Sequence, residues 1–150
     1  MVMIIRLNIL SLVFVAALPG AVYSAGDPAP PETLAISAYE QGREQARSEN
    51  WDRAAALFQS VVEKDGQDYR ALNMLGYSLR QIGRLADSLA AYDRALSIKP
   101  DYAPALEYRG VTLLKSGNRR AALADYRALV RLGSPLAADL KEALDRAAKN

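Results

Sequence analysis

The sequence predicts an all-α fold, a solenoid of three stacked helix-turn-helix units closed by a C-terminal helix. Two observations carry this expectation. Residues of matched size recur every 34 positions. Gly42, Gly76 and Gly110 form one column, and Ala54, Ser88 and Ala122 a second. Phe58, Tyr92 and Tyr126 form a third, and Val61, Ala95 and Leu129 a fourth. Such a period is the signature of stacked supersecondary units. Within a unit, offsets 4, 8 and 11 lie on one helical stripe and offsets 20, 24 and 27 on another, so each unit reads as two amphipathic helices. One such pair cannot bury its stripe alone, and about three units are needed for a stable stack.

The first 24 residues read as a secretory signal. Arg6 and the amino terminus are basic, and 7–18 is apolar except for Asn8 and Ser11. Pro19-Gly20 breaks any helix, and Val22-Tyr23-Ser24 offers small residues before a cut after Ser24. That order marks an exported chain. The apolar run is short for a membrane span of about 20 residues, and an uncleaved anchor is the alternative. Residues 25–34 follow as a Pro-rich, extended spacer.

The three units are 35–68, 69–102 and 103–136. In each, small residues at offsets 8 and 20 let the two helices approach closely. Gly83 and Gly117 suit the left-handed position that ends a helix. Pro100, followed by Asp101, stops the second unit and starts the third. Ser134-Pro135 then reads as an N-cap with Pro at the first helical position. Residues 137–150 form a capping helix. Leu136, Leu140, Ala143, Leu144 and Ala147 share its inner stripe, and Asp139, Lys141, Glu142, Asp145 and Arg146 its outer side. Seven helices are expected after the spacer.

These columns resemble the tetratricopeptide-repeat (TPR) family. The second unit carries Leu72, Leu75-Gly76, Leu79, Gly83, Ser88, Tyr92, Ala95 and Pro100. The third carries Leu106, Gly110, Leu113, Gly117, Ala122, Tyr126 and Leu129, with Arg109 in place of the Leu before Gly. The first departs most, with Ala38, Gln41-Gly42, Gln45 and Gly66, but its second half holds Trp51, Ala54, Phe58 and Val61. The resemblance implies a right-handed α-solenoid that acts as a protein-interaction scaffold, with no cofactor. It also implies that the first helix of each unit lines a concave face, where offsets 2, 5, 6, 9, 12 and 13 bind peptide.

Read onto this chain, the peptide-binding groove is Tyr39, Arg43, Arg47, Arg70, Asn73, Tyr77, Arg80, Gln81, Tyr108 and Lys115. Ile36, Glu40, Met74, Glu107 and Val111 share the arc. Arg grips carboxylates at two points and stacks on rings, and Tyr gives contact area at low entropic cost. An acidic or C-terminal peptide segment of another protein is the expected partner, with Asn73 bonding the backbone of an extended chain. The alternative is a solvated face of ordinary Arg-Glu pairs, with Tyr77 or Tyr108 partly packed between units. The chaperone clamp of one family subtype is absent, because its positions hold Tyr39, Arg43, Met74, Pro104 and Tyr108.

Composition narrows the chemistry. There is no Cys and no His, which excludes disulfides, thiolate metal sites, Cys nucleophiles and His bases. No bacterial lipoprotein lacks its acylated Cys. Residues 25–150 carry 18 basic and 17 acidic side chains, net +1, so nucleic acid is not the expected partner. Asp87, Asp93 and Asp125 are expected on exposed faces, Trp51 in the core and Arg119-Arg120 as a solvated cap. No carboxylate pair, phosphate loop or nucleophile elbow appears. The chain reads as a non-enzymatic, periplasmic or secreted binding module. The rival reading is a structural subunit of an envelope complex, self-associating through its solenoid ends.

Overall fold

The structure is a computed structural model and describes residues 37–149. The expected signal, the spacer and Ile36 lie outside the described residues. Seven helices follow in order: α1 (Ala38–Arg47), α2 (Trp51–Lys64), α3 (Tyr69–Gln81), α4 (Leu85–Ile98), α5 (Ala103–Lys115), α6 (Arg119–Arg131) and α7 (Leu136–Ala147). The described residues contain no strand. The helices fall two to each 34-residue span, with α7 as the seventh, so the expected all-α repeat fold is present.

Each helix packs on the next, and the first helices also meet one another: α1 with α3, α3 with α5, α5 with α7. The second helices, α2, α4 and α6, do not approach one another to backbone contact. A stack that is close along one layer and splayed along the other curves toward the close layer. The first-helix face is therefore the concave one.

Glycine sets how close the two helices of a unit come. A Cβ on Gly42 would stand 2.9 Å from the Phe58 ring, and one on Gly76 would stand 2.7 Å from the Tyr92 ring. Phe58 and Tyr92 are fully buried. Ser88 adds a cross-link, its Oγ donating to the Gly76 carbonyl at 2.7 Å. The third unit differs. The atoms nearest a Cβ on Gly110 belong to Leu140 of α7, at 2.5 Å, and Tyr126 is only half-buried. The capping helix thus occupies the space at Gly110 that the unit's own ring takes in the first two.

Helix ends follow the sequence. Ser37 accepts from the Glu40 amide, Asp68 from Arg70 and Ala71, and Asn118 from Ala121. The Ser134 hydroxyl accepts from the Leu136 amide at 3.3 Å. Pro135 already has helical angles, so the expected Ser-Pro start is in place. The two helices of each unit are joined by one recurring turn. The amides of Asn50, Arg84 and Asn118 reach back to the carbonyls of Gln45, Leu79 and Leu113. Each turn needs a left-handed residue just before that amide. Gly83 (φ 80°) and Gly117 (φ 79°) supply it in the second and third units, and Glu49 (φ 57°) in the first.

A side chain in that conformation costs roughly 1 kcal/mol or more. Glu49→Gly is expected to raise stability by about 0.5–1 kcal/mol, part of the relief being lost to the freer unfolded chain. Gly83→Ala is expected to lower it by about 1 kcal/mol through backbone strain alone, since nothing lies within 4 Å of the added Cβ. Denaturant midpoints at constant m-value measure both shifts.

Candidate functional site

An aromatic ladder spans all three units. Trp51, at the start of α2, meets Tyr77 of α3 edge-on at 5.6 Å between ring centroids. Tyr77 meets Tyr108 of α5 at 5.0 Å, and Tyr108 approaches the buried Tyr92 at 6.3 Å. Arg80 lies over two of these rings, 5.0 Å from Tyr77 and 5.8 Å from Tyr108. Stacking on two aromatic faces holds a guanidinium without a carboxylate and keeps its charge available. Trp51 is half-buried as part of this ladder rather than fully in the core.

The groups around Arg80 feel its charge and their own burial. Burial pushes the Glu107 carboxyl above its ordinary value, Arg80 pulls it back part of the way, and Asp139 of α7 adds to the rise. Burial also raises the Tyr108 phenol, with Glu107 and Tyr77 acting in the same direction. Tyr39 stands apart from the ladder. It packs edge-on against Phe58 at 5.6 Å and is raised by burial first.

The other expected groove residues divide into two sets. Arg43 pairs with Glu40 at 3.1 Å, and Arg47 with Glu44 at 3.0 Å, each one helical turn back. Two of the five expected cations are thus balanced on their own helix, as an ordinary solvated face would be. Arg70 holds only a long 3.8 Å contact with Asp68 and rests 6.0 Å over the Tyr69 ring. Gln81 and Lys115 are exposed at the far ends of α3 and α5. Asn73 is not an open groove residue. It is buried, 3% exposed, and its Oδ1 lacks a hydrogen-bond partner, as does Arg80 Nε.

On the convex side the structure corrects two expectations. Asp125 is buried, not exposed. Arg109 donates to both of its oxygens, at 3.0 and 2.6 Å, and to Asp93 at 2.7 Å, which ties α5 to α6 and α4. Burial works against the Arg109 charge, and hydrogen bonds to Asp125 and Asp93 outweigh it and raise its pKa. Burial pushes the Asp125 carboxyl up, and Arg109 pulls it back part of the way. Arg119 is also more than a solvated cap, since its Nη1 donates to the Leu144 carbonyl at 2.6 Å and ties α6 to the end of α7.

The Arg109 cluster had a signal in the sequence. One period earlier the same positions hold Leu75 and Ala91, so two apolar residues are replaced together by opposite charges. Those positions line matching furrows between the splayed second helices. The furrow floored by Leu75 and Leu79 encloses about 490 Å³, and the one that holds Arg109 and Asp125 about 320 Å³. The described residues hold no cluster of acidic groups arranged for a metal.

Residues 39–103 match the family model described as tetratricopeptide repeat. Residues 39–103 are thus similar to tetratricopeptide repeats, and the described residues share the all-α repeat fold. Solved structures with this fold include PcrH in complex with the chaperone-binding region of PopD (TM-score 0.68, 21% identity, covering 75% of this chain and 89% of that one). The type III secretion translocator chaperone SycD of Yersinia enterocolitica superposes with TM-score 0.68 at 17% identity, covering 73% and 80%. The TPR2B domain of yeast Sti1, in its pHsp70 complex, gives 0.69 at 14%, covering 75% and 94%. At these identities the likeness shows the tetratricopeptide fold alone. No curated protein is significantly similar in sequence.

Asp125→Ala strands a mostly buried guanidinium beside one exposed carboxylate, and it is expected to cost roughly 3 kcal/mol. Asp93→Ala removes a partner that is 62% exposed, and it is expected to cost below about 1 kcal/mol. Equilibrium unfolding of the two variants makes the comparison. Equal costs would mean that the three-residue cluster does not act through burial.

Proposed function

We propose that this chain is a non-enzymatic binding module that holds a peptide segment of another protein in its concave groove. The observation that carries the reading is the ladder of Trp51, Tyr77 and Tyr108 with Arg80 stacked on it. It is half-exposed, it runs across three units, and it joins the residue types that dominate binding hot spots. Structures with the same fold include PcrH with the chaperone-binding region of PopD, a first TPR of Spaghetti with an HSP90 peptide, and the TPR2B domain of Sti1 in its pHsp70 complex. The groove's unbalanced cations are Arg80, Lys115 and the loosely held Arg70, which favour an acidic segment. The basic start, apolar run and small-residue cut site of 1–24 support action in the periplasm or outside the cell.

A second reading has one observation of its own. Val130 and Leu132, near the C-terminal end of the stack, are 52% and 45% exposed. An envelope subunit that self-associates through its solenoid ends would cover them. Light scattering on size-exclusion fractions separates the two, because a stable dimer favours this one.

The exported chain, used as bait in its own envelope extract, is expected to retain a partner. Arg80→Glu is expected to weaken that binding about tenfold or more, since it reverses a desolvated charge. Arg43→Glu is expected to cost about threefold, because Glu40 already balances Arg43. Unchanged affinity in both variants would sink the groove. N-terminal sequencing of the exported chain is expected to begin at Ala25, and a chain that keeps Met1 would mean that the signal is retained as an anchor.

A further inference from the structure

The repeat supplies its own control for the outer surface of α6. Arg120, Arg127 and Arg131 are exposed and recur at steps of seven and four, so they form one row along the helix. None of the three has a carboxylate or ring partner among the described residues. In the two earlier units the same columns hold Asp52 and Ala86, Gln59 and Asp93, Glu63 and Ser97. Each column thus contains an acid in an earlier unit and no cation until the third. A row of cations confined to one unit is not demanded by the packing that all three units share.

The row lies on the side of α6 that corresponds to a furrow wall in the unit before. Leu89 and Asp93 of α4 line the furrow shared with α6, and Leu123 and Arg127 stand at the same positions of α6. Val130 follows Leu123 by two turns, in a second row beside the cations. Its column is buried in the first two units, with Val62 at 4% and Leu96 at 8% exposed, whereas Val130 is 52% exposed. The end of a helical stack is normally sealed by a polar outer face. Helix α7 has one, with Lys141 paired to Asp145 and Arg146 to Glu142. This side of α6 instead presents an apolar row flanked by unpaired guanidinium groups. Apolar surface rimmed by charge marks an interaction site.

We infer that this side of α6 docks an acidic amphipathic helix of another protein, at a surface separate from the concave groove. Helices share one rise, about 1.5 Å per residue, so a helix beside α6 with carboxylates at steps of seven and four meets all three guanidinium groups. Its apolar row covers Val130 and Leu123. Arg takes a carboxylate at two points, which fixes register as well as charge. Charge argues against a second copy of this chain. Two such ends face to face would set one arginine row against another. A head-to-tail stack would bring up the exposed Arg53 of α2, which shares a column with the furrow-lining Asp87 and Ala121. An anionic membrane is also disfavoured. The apolar face that an interfacial helix inserts is here buried in the stack, where Ala122 and Leu129 are fully enclosed.

The probe is a display library of 14-residue helices, the length of α2 and α4, selected against the full chain. Each selected helix is measured on Arg80→Glu and on the double variant Arg127→Glu/Arg131→Glu, and those that Arg80→Glu weakens are assigned to the groove. The expected result is a set of helices outside the groove that carry Asp or Glu at steps of four and seven and bind the double variant about tenfold or more weakly. Replacing those carboxylates by Lys is expected to restore binding to the double variant to within about threefold, because the charges are exchanged as a pair. Val130→Ser is expected to weaken the same helices about threefold with the charges intact. The substituted positions are exposed, and melting temperatures check that each variant folds. If no selected helix depends on the arginine row, or if those that do lack carboxylates, the inference fails. Binding to phosphatidylglycerol vesicles, or a dimer seen by light scattering, that the double variant loses would then assign the row to a membrane or to a second copy. A failed groove leaves this test intact, because the helices are sorted before the row is scored.

Discussion

The contact on which the rest of this structure depends is a missing methyl. At Gly42 and Gly76 the opposing ring atoms stand within 3 Å of where a Cβ would be. That approach lets the two helices of a unit close on a fully buried ring. It also leaves the first helices of successive units near enough to pack on one another while the second helices splay. Curvature, concave face and convex furrows all follow from this asymmetry. A groove is therefore a property of the glycine column before it is a property of any residue that lines it.

The same contact explains how the stack ends. Leu140 stands 34 residues after Leu106, and Leu144 stands 34 after Gly110. Helix α7 thus follows the register of a fourth first helix. At position 144, where the earlier first helices carry glycine, a buried leucine fills the site. Leu140 in turn closes over Gly110. Arg119 then covers the Leu144 carbonyl, one of the groups a helix end leaves unpaired. The end is sealed by apolar contact on one side and a charged hydrogen bond on the other.

Much of this was legible because the repeat is an internal alignment. The columns located the helices, and the Gly positions located two of the three left-handed turns that lie within units. Glu49 was not found, because a non-glycine residue at positive φ leaves no mark in one sequence except the absence of the glycine its partners keep. The third column reads alike at Phe58, Tyr92 and Tyr126, yet only the first two are fully buried, since periodicity cannot tell which neighbour will cover a terminal unit. Asp125 looked exposed because carboxylates usually are. The paired change from Leu75 and Ala91 to Arg109 and Asp125 marked it, but only for a reader who compared columns in pairs. The candidate site was legible as a list and not as an arrangement. Offsets along a helix named Tyr77, Arg80 and Tyr108, but they could not say that the cation would lie on the rings or that Asn73 would be buried.

That arrangement changes what the charges on the concave face can do. Counted along the sequence, five cations face two carboxylates, and a long-range acidic attraction follows. In the structure Arg43 and Arg47 spend their charge on Glu40 and Glu44 in high-dielectric surroundings, where such pairs are weak and screened by salt. Arg80 sits in a different medium. It rests on two rings, close enough to the half-buried Glu107 to oppose the rise of that carboxyl's pKa. A contact made there works at shorter range and lower dielectric than one made at the rim. The rim cations can steer a partner toward the face, but steering mainly sets the rate of encounter. At the centre a cation and an unpaired amide oxygen of α3 lie beside the rings of Tyr77 and Tyr108.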